Sequence, residues 1–150
     1  MTAVYCAFIA LSTFEGHSGH SATAAALLEI AAISLLLAGI PEELLFRVLL
    51  QTRLEVVLGR WNGILGATAL FALMHVPQTY FLTSLGKLSS NPTLAVGATV
   101  GAVLISSTLT GLVWGYLWSR YRNAWLNVAI HSLNDGITFA AVLLGFSTLS

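Results

Sequence analysis

The sequence predicts an all-α fold: a polytopic membrane bundle of about four core helices, one of them broken at Gly and Pro, with a short apolar segment in front. Three observations point there. The chain of 150 residues is 57% hydrophobic and only 8% charged, where a soluble domain carries about 25% charged residues. Its apolar runs are long, and short stretches rich in Gly, Ser, Asn, Pro or charge divide them. Small residues crowd one of those runs, as close helix packing in a bilayer requires.

The first run, "MTAVYCAFIALSTF", reaches only ~20 Å as a helix, short of a ~30 Å hydrocarbon core. It lacks the basic start and small-residue cleavage site of a signal peptide, so it reads as a partial or tilted helix or as the remainder of a longer ancestral segment. "EGHSGHS" (15–21) follows as a polar loop, and His17 and His20 read as surface residues. Residues 1–22 therefore precede a core of residues 23–150. That core opens with an apolar run over 23–40 whose single charge is Glu29, either at the lipid interface or against another helix. Gly39 and Pro41 interrupt it, since proline has no N–H and clashes with the carbonyl four residues back. A second helical piece starts with Pro41 in the favoured first turn and runs to about Leu58.

Residues 63–83 form the next span, apolar except for His75, with Pro77 just after it. "SLGKLSSNP" (84–92) reads as a loop, and residues 93–118 as a small-residue span packed inside the bundle. "SRYRN" (119–123) reads as a charged turn before the last span, 124–146, which is apolar except around "HSLND". Arg53 and Arg60 fall in one connection and Arg120 and Arg122 in another on the same side, which marks the cytoplasmic face. Trp61, Trp118 and Trp125 sit at those connections as interfacial aromatics do. Phe71 and Met74 read as packing.

The charge balance narrows the partners. Six basic and six acidic residues cancel, which argues against a nucleic acid. Cys6 is alone, so neither an internal disulfide nor a cysteine metal cluster can form. The expected surroundings are a lipid bilayer and a peptide or membrane-protein substrate; no residue pattern sets an oligomeric state.

Against this background the stretch "AGIPEELLFRVLLQ" stands out, because Glu42, Glu43 and Arg47 lie where charge is costly. Each costs roughly 2.5–3.5 kcal/mol at a bilayer centre on insertion scales. Glu43 and Arg47 are spaced i, i+4 with the acid first, the favourable order for an ion pair. Glu42 is rotated about 100° away. His131 and Asp135 share a second helical face at the same spacing, with Asn134 one position off. Counted from the arginine- and tryptophan-marked ends, Glu42, His75 and His131 lie roughly 16, 21 and 13 Å deep. Each feature has a bland alternative: a structural ion pair, a packed histidine, a polar contact between helices. Unrelated structural residues have no reason to share a level, and the common depth favours one site.

"EELLFR" (42–47), "FALMH" (71–75) and "HSLND" (131–135) match E-E-x-x-x-R, F-x-x-x-H and H-x-x-x-N/D in order. Over residues 38–146 the chain resembles the CPBP family, also called Abi-like. That family holds CAAX prenyl endopeptidases of the Ras-converting type and bacterial relatives linked to bacteriocin processing and immunity. The resemblance implies an intramembrane endopeptidase that is glutamate-dependent and needs neither metal nor other cofactor. By motif position Glu42 is its general base, with His75 as partner in activating water. His131 and Asp135 occupy the positions that stabilise the oxyanion, and Glu43 and Arg47 match the rest of the first motif and read as its supporting ion pair. The expected location is a bacterial or archaeal plasma membrane, and the estimated depth has water reach the site from the cytoplasmic side.

Asp135 departs from the eukaryotic pattern, where asparagine holds the position. An ionised aspartate cannot donate a hydrogen bond, so Asp135 carries a proton, orients His131, or leaves donation to Asn134. Two other functions stay open at this point. One is a zinc peptidase with Glu42, His75, His131 and Asp135 as ligands, although no H-E-x-x-H is present. The other is a membrane immunity or scaffold protein that binds a peptide without cleaving it.

Overall fold

The computed structural model describes residues 24–84 and 92–143. The N-terminal apolar segment, the loop with His17 and His20, and residues 85–91 of the expected loop lie outside the described residues. Within them the fold is all-α, as composition requires, with no strand. It divides into two compact units, one over residues 45–122 and one made of residues 24–44 and 123–143.

In the second of these units α1 (Ala24–Ile33) leads into a π-helical segment, π1 (Ser34–Gly39), and then α2 (Ile40–Glu43). The partner is α6 (Ala124–Leu143), which packs on α1, π1 and α2. Gly39 and Pro41 interrupt the α-helical pattern as expected, and they do so through widened turns. The Ile40 N–H donates to the Leu35 carbonyl five residues back. Pro41 occupies the first turn of α2. The wider turn makes room for the pyrrolidine ring, whose missing N–H would break a regular ladder. A second π-helical segment, π2 (Leu44–Gln51), follows at once, so π-geometry brackets the two glutamates on both sides. Single π-turns occur preferentially at functional sites.

Gly39 lets π1 and α6 approach. A Cβ on Gly39 would fall on Ser132 Oγ and lie 3.2 Å from the Val128 carbonyl oxygen. Gly39→Ala should therefore destabilise the protein by about 1–3 kcal/mol through overpacking. Thermal unfolding in nanodiscs checks this, and adding Ser132→Ala should restore part of the loss. An unshifted midpoint for Gly39→Ala would contradict the close approach.

In the unit of residues 45–122, π2 passes into α3 (Thr52–Leu58), which packs on α4 (Arg60–Ser84). Gly59 makes the turn between them with φ 81° and ψ 166°, a backbone conformation open essentially only to glycine. The main pairing is α4 with α5 (Pro92–Tyr121). Phe71 centres this packing at 2% exposure, with edge contacts to Phe46 at 5.2 Å and Trp114 at 5.8 Å between ring centroids. Residues Arg60–Phe81 and Val96–Tyr121 are each long and apolar enough to cross a membrane.

Two details differ from expectation. Helix α5 continues through Tyr121, so the turn shrinks to Arg122, at φ 51°, and Asn123. Asn123 then caps α6, its Oδ1 accepting from the Leu126 N–H at 3.1 Å. Trp118, unlike Trp61 and Trp125, is buried against the protein, at 7% exposure. Its indole N–H donates to Thr52 Oγ1 at 3.1 Å, which satisfies the one polar atom its burial would otherwise strand. Trp61 and Trp125 are exposed, as expected.

Candidate active site

Helix α6 carries a polar stripe on an otherwise apolar segment. Asn127, His131 and Asp135 follow one another at i, i+4 spacing, so they line one face over three turns. Asn127 and His131 are buried, and Asp135 is intermediate. Helix α2 presents Glu42 and Glu43 to this stripe, at 7% and 0% exposure. Burying carboxylates costs several kcal/mol each unless they find partners, and the stripe supplies them.

The Glu43 carboxylate is clamped by two consecutive turns of α6. Its Oε2 accepts from Asn127 Nδ2 at 3.1 Å and its Oε1 meets His131 Nδ1 at 2.9 Å. A carboxylate accepts, so His131 donates from Nδ1, and its Nε2 is the nitrogen left for other partners. That nitrogen is 3.8 Å from Glu42 Oε2 and 3.5 Å from Asp135 Oδ2. One imidazole thus connects an orienting carboxylate on one side with two further carboxyl groups on the other. Asn134 stands beside the stripe, exposed, its amide 3.5 Å from Asp135 Oδ1.

The remaining sequence candidates belong to the unit of residues 45–122. His75 sits on α4, half-buried, and its Nδ1 donates to the Phe71 carbonyl at 2.8 Å. A carbonyl can only accept, so this bond fixes the tautomer and leaves the lone pair on Nε2. Thr79 Oγ1 donates in turn to the His75 carbonyl at 2.8 Å. Proline at 77 interrupts the backbone ladder of this same turn, and the threonine hydroxyl adds a bond there. Arg47 is 1% exposed, with its guanidinium carbon 4.6 Å from the Phe71 ring centre and 5.7 Å from that of Trp114. Weak hydration of the planar guanidinium makes this stacking favourable in a buried setting.

The structure therefore brings Glu42, Glu43, His131 and Asp135 into one cluster and gives Arg47 an aromatic cradle. Sequence reasoning missed Asn127, although its spacing four residues before His131 was a usable signal. Among the described residues no group of three or more His, Cys, Asp or Glu side chains has metal-holding geometry.

A family model described as "Type II CAAX prenyl endopeptidase Rce1-like" matches residues 24–137. The chain belongs to this Rce1-like family. The matched region takes in all three polar motifs and both membrane-length helices. Membership together with those helices makes the protein an integral membrane endopeptidase, with a peptide as substrate and the bilayer as surroundings. No curated protein and no solved structure matches the chain.

Proposed function

We propose that this Rce1-like protein hydrolyses a peptide bond of a membrane-associated substrate with a water activated by Glu42, without metal. The observation that carries the reading is the buried cluster in which His131 links Glu43 to Glu42 and Asp135. In this reading Glu42 removes a proton from water as the water oxygen attacks the scissile carbonyl carbon. The oxyanion that forms is met by a donor from Asp135 and by the Nε2–H that His131 offers when its ring holds a second proton, its Nδ1–H being given to Glu43. As the C–N bond breaks, Glu42 returns the proton to the leaving nitrogen, which ends the cycle with the base regenerated. His75, matched to the second motif, takes part in activating the water through Nε2, because its Nδ1 is held by the Phe71 carbonyl.

Glu43 has a role wider than partner to Arg47. Accepting from Asn127 and His131, it orients the imidazole as the buried carboxylate of a hydrolytic triad orients its histidine. The site is reached from the cytoplasmic side. Comparing the peptides of membranes that hold wild-type protein with those that hold Glu42→Ala tests the reading. Peptides cleaved only with the wild type support it, and identical profiles reject it.

Asp135 supplies a sharper expectation. If it donates to the oxyanion it must be protonated, and turnover should fall as pH rises and that proton is lost. Asp135→Asn should then keep turnover within about threefold of wild type at its optimum and lose the alkaline decline, because an amide donates without a proton. A pH–rate profile of both proteins decides this. An asparagine variant inactive across the range would show that Asp135 acts as a carboxylate on His131 Nε2 instead.

A further inference from the structure

The chain is neutral overall, yet its charges are sharply partitioned. All six basic residues fall between residues 45 and 122, where Glu55 is the single acid. That acid is already engaged, since Arg122 pairs with it and Gln51 Nε2 donates to it at 2.7 Å. Arg53, Arg60 and Arg120 are exposed and have no carboxylate partner among the described residues.

Two of these arginines mark one end of the membrane-length helices. Arg60 begins the apolar stretch of α4, and Arg120 lies one residue before the end of that of α5. The two helices meet at this end, because Trp61 and Tyr116 stack at 6.5 Å between centroids and 20° between planes. Arg60 lies over both rings, its guanidinium carbon 5.3 Å from Trp61 and 5.5 Å from Tyr116. Arg120 follows Tyr116 by one helical turn and lies 5.8 Å from the Tyr121 ring.

The same face continues as bare hydrocarbon. On α5, Leu109, Val113 and Tyr116 recur at helical spacing below Arg120, and on α4 Leu65 lies one turn below Trp61, all exposed. Cations at the top, amphipathic rings beneath them and an apolar strip below reproduce the profile of an amphiphile with an anionic head. Guanidinium groups suit phosphate because their planar donors match its oxygens.

We propose that this end of α4 and α5 is a binding site for an anionic phospholipid, with Arg60 and Arg120 on the headgroup and Trp61, Leu65, Val113 and Leu109 along the chain. A soluble anion would have no use for the apolar strip, and that strip commits the site to a lipid. The inference stands independently of the proteolytic mechanism.

Quenching of tryptophan fluorescence by lipids brominated near the headgroup tests it, with the full-length protein in nanodiscs. Brominated phosphatidylglycerol should quench more than brominated phosphatidylcholine at equal mole fraction, and Trp61→Phe should remove most of that excess. The preference should weaken with added salt, since surface charge attraction is screened. Each arginine contributes about fivefold to the enrichment, so Arg60→Gln with Arg120→Gln should lower it by at least fivefold. Arg60→Lys, which keeps the charge, gives a milder variant with a smaller loss. Equal quenching by the two lipids overturns the proposal, as does an excess that survives the double substitution. Loss of the excess on adding inorganic phosphate at constant ionic strength would assign the site to a free anion and also overturn it.

Discussion

Glu42→Gln should lower peptide turnover by about a thousandfold, within the range that general-base catalysis supplies. The substitution keeps the side chain's size and removes its basicity. Glu42 is 7% exposed and its Oε2 lies 3.8 Å from His131 Nε2. An amide fits the same space and offers both a donor and an acceptor to that nitrogen, so the folded state should tolerate the change. Turnover measured beside thermal unfolding separates the two effects. A wild-type midpoint with lost activity is the expected pair, and near-normal turnover would remove Glu42 from the mechanism. Glu43→Gln makes the instructive contrast. Both Glu43 oxygens meet partners on α6, and an amide has only one acceptor to offer.

Arg47→Ala should carry the largest cost in stability, on the order of 3–5 kcal/mol. The side chain is 1% exposed and stacked against Phe71 and Trp114. Truncation leaves a cavity and takes a positive charge from a unit core that was built around it. Arg47→Met restores volume without charge and should recover part of the loss, which divides packing from electrostatics. Unfolding midpoints in nanodiscs measure all three proteins. Equal midpoints for Arg47→Ala and Glu42→Gln would contradict the structural weight given to this arginine.

The main helices were readable because apolar length and punctuation residues act locally. Gly59 ends one helix, Asn123 caps another, and each does so through its own backbone or side chain. The response to Pro41 was less readable. A missing N–H can be absorbed by a loop, a kink or a wider turn, and neighbouring packing at Gly39 decides among them. Trp118 shows the same limit: its position near Arg120 did not reveal that Thr52, distant in sequence, supplies its indole with an acceptor. For the candidate site, i, i+4 spacing placed His131 and Asp135 on one face. It could not show that Glu43 turns both oxygens toward α6, because that depends on helix pairing rather than on spacing within a helix. Asn127 was overlooked although its spacing to His131 put it on the same face, because an asparagine near a helix start does not by itself name its partner.

The central claim is that side chains alone activate the attacking water. Cleavage of a peptide in ¹⁸O-labelled water by protein stripped of metal tests it most directly. The account predicts an undiminished rate, one labelled oxygen in the new carboxyl terminus, and no acyl-enzyme trapped by added hydroxylamine. Loss of cleavage on metal removal, restored by adding zinc, would contradict it.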